Sequence, residues 1–177
     1  NGVGKPVKMV WTREDDMRAG HYRPFSINRV RGGIDADGRV VALHHVVVGQ
    51  SLFDLSPLKP MIDKVGYDPS QVEGSGDIPY ALPNHRVETH VTMEQVPTQF
   101  WRSVGHSNNG FISNTAIDEL AALAGKDTYA FRRDLLAGKP RHLAVLDKVA
   151  TEAGWGKPLA EGHFHGIALQ ESFGSIV

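Results

Sequence analysis

The sequence predicts residues 1–177 to be a single α+β unit, in which antiparallel β elements come first, helices follow and one more strand closes the chain. Residues 35–38 read Asp-Ala-Asp-Gly between two stretches of apolar residues, which is typical of a β-hairpin. Three stretches between residues 111 and 154 carry apolar residues at helical spacing. A hydrophobic content of 41% over 177 residues is enough for one core. We therefore expect a β-hairpin region over 1–50, a long irregular loop over 51–83, and a strand, a loop, helices and a strand over 84–177.

The N-terminal stretch predicts a strand followed by a short helix. Apolar and polar residues alternate over residues 7–11, which favours a half-buried strand. Thr12 and Asp15 have the spacing of a capping box, so a helical turn is expected to begin there and run through Met17. Gly20 is expected to end it.

Two longer strands are predicted on either side of the hairpin turn. The first covers residues 24–31, and the second is a Val-rich stretch over 39–49 that is buried on at least one face. Between them the Asp37-Gly38 pair supplies the positive-φ position that a tight turn needs.

The stretch over 51–83 is rich in Pro, Asp, Gly and Ser and shows little regular pattern. Residues 61–65 favour a helical turn, and prolines set turns at 67–69 and 78–80. An irregular segment of this length tends to be functional or to pack on a partner. Alternation returns over 84–95, which predicts a strand leading into a loop over 97–110.

Three helices are predicted in the last third of the chain. An apolar stripe runs over residues 111–124, with Gly125 in the position of a C′ glycine. Asp127 can cap a second helix that extends to Leu136. Pro140 can start a third that ends at Gly154. A final strand is predicted over residues 166–173.

The composition excludes several classes of function. A formal net charge of -1 supplies no basic surface for nucleic acid. The absence of cysteine removes disulfides, thiolate zinc sites and cysteine nucleophiles. No apolar run approaches the ~20 residues of a membrane span. Because the chain starts at Asn1 and ends in an apolar β-like run, we expect a piece of a longer polypeptide.

The histidines and serines predict neither a metal site nor a nucleophile. His44 and His45 are adjacent, so a strand would point them to opposite faces, and the remaining histidines lack ligand spacing. Ser103 and Ser107 lack the G-x-S-x-G elbow of hydrolases. We expect no metal ligands in this chain.

The strongest candidate site is the loop over residues 96–110. Phe100, Trp101 and Arg102 are followed by glycines, a histidine and small polar residues, and the loop leads into the helix predicted at 111. Backbone N–H groups at a helix N-terminus, with an arginine and aromatic residues nearby, suit an anion. The alternative is a loop that only caps the helix and buries two aromatic side chains.

The segment QFWRSVGHSN, residues 99–108, resembles the F-R-G-F-G-G-P-Q segment of the xanthine dehydrogenase/aldehyde oxidase family. It looks closest to the branch with the isoquinoline 1-oxidoreductase β-subunit and related bacterial aldehyde dehydrogenases. Other matches follow in the same order along the chain: KMVWTREDDM at 8–17, HYRP at 21–24, IDELA at 117–121, FRR at 131–133, PRH at 140–142, AGWGKPL at 153–159 and GIALQESFG at 166–174.

The resemblance implies a central fragment of the large, molybdenum-binding subunit of that family. It implies molybdopterin cytosine dinucleotide with molybdenum as cofactor, and oxidation of aldehydes or N-heterocycles with water as the oxygen source. Implied partners are the remaining segments of the molybdenum subunit, a small subunit with iron–sulfur clusters, and a cytochrome c as electron acceptor. It leaves the compartment open between the bacterial periplasm and cytoplasm and slightly favours the periplasm.

The resemblance also assigns roles to individual residues. Trp101, Arg102, Ser103 and Gly105 match the segment beside the cofactor, whereas Val104 and His106 are expected in the substrate pocket. Val104 stands where purine-oxidising members have a phenylalanine that stacks on substrate, which speaks against a purine. The glutamate base lies outside this chain, so we expect no catalytic residue here and no activity from the fragment alone.

A different class of function stays open. The chain could be a non-catalytic module that packs on partner subunits through residues 51–83. In that case Arg102 would be dispensable for turnover, and Trp101 and Arg102 would be purely structural.

Overall fold

The computed structural model of the chain describes residues 2, 4–54 and 56–177. Its centre is a three-stranded sheet in the order β1-β2-β3, formed by β1 (Ser26–Ile34), β2 (Val40–Gly49) and β3 (His85–Val91). β1 and β2 pair antiparallel, whereas β3 pairs with β2 in parallel. The predicted hairpin and the strand after residue 84 are therefore confirmed, but the expectation of antiparallel β elements holds only for the hairpin.

The hairpin turn forms as its sequence predicts. The Asp35 carboxylate accepts hydrogen bonds from the backbone N–H groups of Asp37 and Arg39, each at 2.9 Å. Gly38 adopts a φ of 70°. A residue other than glycine would be strained at that φ, so the Asp-Gly pair determines where the chain reverses between the two strands.

The N-terminal segment contains the predicted helix but not the predicted strand. Helix α1 (Arg13–Ala19) is capped by Thr12, whose hydroxyl accepts the N–H of Asp15, and it ends at Gly20. Residues 7–11 form no strand, and Val10 and Trp11 are 76% and 62% exposed. An alternating segment becomes a strand only when another strand pairs with it, and no described segment pairs with this one.

The stretch over 51–83 is more regular than its composition predicts. Helix α2 (Lys59–Val65) includes the predicted turn at 61–65, and a short helix α3 (Pro69–Val72) follows. Asp68 organises this part, because its buried carboxylate accepts hydrogen bonds from the Ser51 hydroxyl and from the Leu52 and Ser70 N–H groups, at 2.6, 3.0 and 2.8 Å. A carboxylate with this many donors can be buried without a cation.

The three predicted helices are present as α4 (Val104–Leu123), α5 (Thr128–Leu135) and α6 (Pro140–Ala153). The predicted ends are confirmed: Gly125 and Gly154 are left-handed, and Asp127 accepts the N–H of Ala130 at 2.9 Å. The predicted start of the first helix at residue 111 is wrong, since α4 begins at Val104 and includes the second half of the loop predicted over 97–110.

The unexpected first turns of α4 are held by polar contacts. Buried Asn109 donates from Nδ2 to the carbonyls of Gln71 and Glu73, both at 2.8 Å, and Ser113 donates to the carbonyl of Gly74 at 2.9 Å. Polar side chains thus occupy the buried face there, so the apolar spacing that reveals most helices is absent.

The predicted strand over 166–173 is mostly extended chain without a ladder. Only β4 (Glu171–Ser172) pairs, with β5 (Ser175–Ile176), across a turn in which Phe173 and Gly174 have φ of 49° and 76°. The preceding residues dock on α4 instead, where the Leu169 N–H donates to Asn114 Oδ1 at 3.0 Å.

The core lies between one face of the sheet and the helices α4, α5 and α6. Its buried members come from β2, from the three helices and their ends, and from the C-terminal segment: Leu43, Ile117, Leu120, Phe131, Leu136, Leu146 and Leu169. Burying such side chains supplies most of the folding free energy. Among the described residues no helix is long and apolar enough to cross a bilayer.

Candidate functional site

The loop before α4 is held against residues 21–23, far away in sequence. The Tyr22 N–H donates to the Pro97 carbonyl at 2.9 Å, and the Gln99 N–H donates to the Tyr22 carbonyl at 3.1 Å. The Trp101 indole N–H donates to the His21 carbonyl at 3.1 Å. These contacts place the loop in one position relative to β1.

The turn between this loop and α4 is strained. Ser103 and Val104 have φ of 68° and 39°, in the left-handed region that L-residues avoid. Ser103 caps α4 without a side-chain hydrogen bond to the helix. A β-branched valine at positive φ is a rare conformation, and such strain clusters at functional sites.

Arg23 supports this turn. Its Nη2 donates to the Arg102 carbonyl at 3.0 Å and its Nη1 to the Val104 carbonyl at 3.2 Å. The Ser107 hydroxyl also donates to the Arg102 carbonyl, at 3.1 Å. The carbonyls on either side of Ser103 are thus both bound by one guanidinium.

The aromatic and basic side chains of the loop remain accessible. Phe100 and Trp101 are 37% and 43% exposed, although Phe100 packs edge-on against Phe53 with ring centroids 5.4 Å apart. The guanidinium of Arg102 is exposed and has no hydrogen-bond or ion-pair partner among the described residues. The loop therefore does not bury its two aromatic residues, contrary to the purely structural alternative.

Gly105 allows α4 to approach α3 closely. A Cβ at this position would lie 2.2 Å from the Ser70 carbonyl oxygen and 2.9 Å from the Glu73 Cβ. The Gly105 N–H donates to a Glu73 carboxylate oxygen at 3.3 Å. The helix N-terminus at this site therefore lies at Val104 and not at residue 111. One of the N–H groups at this helix end, that of Gly105, is already bound by the Glu73 carboxylate.

The predicted site residues separate into two groups. Trp101, Val104 and Gly105 line a cleft together with Arg23, whereas Arg102 and Ser103 are exposed and lie outside that lining. The His106 side chain lies outside that lining and is only 8% exposed. Its Nδ1 accepts a hydrogen bond from Gln170 Nε2 at 2.8 Å, and its Nε2 lies 3.8 Å from an Asp77 carboxylate oxygen.

Sequence reasoning did not identify Arg23 or Glu73 as part of this site. Both reach it from other segments, and no local spacing indicates either contact. The one available signal for Arg23 was the HYRP match at residues 21–24.

The other histidines form no metal centre, and no group of three or more His, Asp or Glu able to hold a metal occurs in the described parts of the chain. His45 is buried, and its ring nitrogens lie 2.7 Å from Asn28 Oδ1 and 2.7 Å from the Ser75 hydroxyl. Burial, together with smaller contributions from the nearby His85 and His44, lowers the pKa of His45 to about 4. His44 lies on the opposite face, 3.3 Å from Glu88, as the alternation predicts.

Residues 1–136 match the family described as "Molybdopterin cofactor-binding domain". The chain is 29% identical over 162 residues to the isoquinoline 1-oxidoreductase subunit beta of Brevundimonas diminuta, covering 90% of this chain and 20% of the relative. It is 28% identical over 174 residues to a membrane-bound aldehyde dehydrogenase (pyrroloquinoline-quinone) of Gluconacetobacter polyoxogenes, covering 87% and 22%. It is 31% identical over 147 residues to a probable xanthine dehydrogenase subunit of Bacillus subtilis, covering 81% and 18%.

The fold is also similar to a solved structure. The aldehyde oxidoreductase from Desulfovibrio gigas superposes with a TM-score of 0.51 at 18% identity, over 80% of this chain and 18% of that one. The chain spans about a fifth of the length of the curated relatives that it matches. The family match covers more than half of the chain and includes the whole loop before α4, so the chain belongs to the molybdopterin cofactor-binding domain family.

Proposed function

We propose that residues 100–105 form one wall of a molybdopterin pocket in the large subunit of a molybdenum-dependent oxidoreductase. The observation that carries this proposal is the exposed Trp101–Arg102 pair on a turn held in a strained conformation. The turn lies within the part of the chain that matches the family.

The residues of the turn fit an anionic cofactor. Arg102 offers a permanent positive charge and a planar set of N–H donors that no described residue engages. Trp101 adds a large apolar surface beside it, which would exclude water from the contact. Gly105 contributes close packing and not a free donor for the cofactor, because its N–H already donates to Glu73.

We propose molybdopterin cytosine dinucleotide as the form of the cofactor. When bound, the group would supply the two-electron redox centre for oxidation of an aldehyde or an isoquinoline-like N-heterocycle, with water as the oxygen source. Arg102 would hold an anionic part of the cofactor, and Ser103 would present its backbone at the turn. The glutamate base would come from outside this chain.

Val104 supports a substrate other than a purine. Its side chain is partly buried in the cleft lining and is too small to stack on a purine ring. The role of His106 in the substrate pocket stays a prediction, because its side chain would reach substrate only if the contact with Gln170 opened.

The proposal includes partners. The remaining segments of the large subunit would close the pocket, a small iron–sulfur subunit would accept electrons, and a cytochrome c is a candidate for the final acceptor. The full-length subunit is the longer polypeptide that would carry this chain.

The test is elemental analysis for molybdenum combined with turnover. Metal is expected in the full-length subunit expressed with its partner, and none in the 177-residue chain alone. Arg102→Ala should lower kcat/KM by about tenfold or more while the fold persists. Arg29→Ala is the matched control, since Arg29 is exposed on β1 and has no side-chain partner in the described chain. Equal turnover in both variants would refute the role of Arg102.

The packing-module alternative is favoured by one observation. Helix α2 and the residues after it expose Met61, Val65 and Tyr67 by about half, although much of the 51–83 stretch is buried within the chain. If this were the main function, charged substitutions at Met61 and Val65 would disrupt subunit assembly, while Arg102→Ala would leave molybdenum content and turnover unchanged.

A further inference from the structure

We infer that Arg23 is a positioning residue for the cofactor-side turn: its guanidinium holds Ser103 and Val104 in the left-handed conformation that presents Trp101 and Arg102. This inference rests on the proposed function only for the identity of the ligand that the turn binds. The positioning itself concerns contacts within the chain.

The turn needs an external support because its own residues disfavour it. Neither Ser103 nor Val104 is a glycine, yet both have positive φ. This chain therefore adopts with a serine a conformation that glycine adopts without steric cost.

Arg23 is suited to supply that support. One guanidinium binds the carbonyls of Arg102 and Val104, at 3.0 and 3.2 Å, and so spans the strained residue between them. Two donors in a fixed plane can hold two acceptors in a defined orientation, whereas a lysine ammonium on a flexible stem cannot.

The backbone that carries Arg23 is itself fixed to the loop. Tyr22 makes two backbone hydrogen bonds, one to Pro97 and one from Gln99, and the next residue is Arg23. The Trp101 indole also binds the neighbouring His21 carbonyl. The guanidinium thus acts from a rigid base, and a change at Arg23 should act on the turn directly.

Arg23 is not a core residue, which makes the inference testable. Its side chain is exposed and reaches the turn over the surface. Removing it leaves the buried cluster around Ile117 and Leu120 intact. We therefore expect a local effect on residues 102–107 and none on the C-terminal half of α4.

The experiment is a double-mutant cycle in the full-length subunit with Arg23→Ala, Ser103→Gly and the double variant. Arg31→Ala is the matched control, since Arg31 is an exposed β1 arginine without a side-chain partner in the described residues. Arg23→Lys keeps the charge and most of the side chain, so it serves if Arg23→Ala does not fold. The first readout is amide hydrogen exchange in the cofactor-free protein, followed by mass spectrometry.

Arg23→Ala should speed exchange over residues 102–107 by about tenfold and leave residues 111–123 unchanged. Arg23→Lys should recover less than half of the lost protection. Adding Ser103→Gly to Arg23→Ala should restore protection, because a glycine needs less support at that φ. Exchange in Arg23→Ala equal to that in Arg31→Ala, or no coupling between the two sites, would overturn the inference.

The second readout separates this inference from the proposed function. If both hold, Arg23→Ala lowers molybdenum content or kcat, and Ser103→Gly partly restores it. Faster exchange in Arg23→Ala with unchanged molybdenum and turnover in both Arg23→Ala and Arg102→Ala would support the positioning and refute the cofactor role. Unchanged exchange in Arg23→Ala, with turnover lost in Arg102→Ala, would do the reverse.

Discussion

Replacing Gly105 by alanine should separate the first turn of α4 from α3. The added Cβ would lie 2.2 Å from the Ser70 carbonyl oxygen, 2.9 Å from the Glu73 Cβ and 3.0 Å from the Glu73 carbonyl oxygen. Two of these three atoms belong to the backbone, so no side-chain rotation removes the clash. The helix must move away from residues 70–73.

The free-energy cost of this movement follows from the steric clash and from the hydrogen bonds between α4 and residues 71–73 that it breaks. Overpacking of this kind costs about 1–3 kcal/mol, and the two hydrogen bonds from Asn109 to the Gln71 and Glu73 carbonyls contribute about 1 kcal/mol each. The higher helix propensity of alanine returns less than about 1 kcal/mol, because residue 105 is the second residue of α4 and not an interior one. We therefore expect the docking of α3 on α4 to weaken by about 3 kcal/mol.

Amide hydrogen exchange of peptides covering residues 69–76 and 104–110 measures this change. We expect the exchange rate there to rise about a hundredfold, because the locally open state becomes more populated. Gly76→Ala is the matched control, because a Cβ there would lie 3.5 Å from the nearest atom, the Val72 carbonyl oxygen. That variant should shift exchange by less than about threefold. Equal exchange in both variants would refute the argument that close approach at Gly105 positions the turn.

Two further predictions concern buried polar groups. Asp68→Asn should lower the free energy of unfolding by about 3 kcal/mol, because an amide has one acceptor oxygen for the donors that surround this carboxylate. Urea unfolding measures this loss of stability. The control Asp63→Asn, at a largely exposed site, should change the free energy of unfolding little. Because the pKa of His45 is about 4 when folded and near 6.5 when unfolded, the unfolded state binds the proton first as pH falls. Stability should drop by about 2 kcal/mol from pH 8 to pH 5 relative to His45→Asn, and parallel pH profiles would contradict this.

Local chemistry made part of the fold predictable. The Asp-Gly turn, the Thr12 and Asp127 caps and the terminal Gly154 were all correct, since each depends on residues within one turn of each other. Strands are less predictable. The alternation over residues 7–11 predicts a strand, but a strand needs a partner, and residues 166–173 form a ladder only at their end.

The sequence by itself determined the α+β order, the hairpin, the three C-terminal helices and, through a resemblance that the family match bears out, the family of the chain. It did not reveal the true start of α4, because Asn109 and Ser113 face backbone carbonyls where apolar residues would have shown the helix period.

Only the tertiary structure decided how the candidate site is built. Arg23 meets the turn across about 80 residues of sequence, Glu73 meets the Gly105 N–H, and His106 faces Gln170 and not the cleft. Such contacts are set by how the sheet, α3 and α4 pack together. The same side chains in another packing would carry the same sequence signals and form a different site.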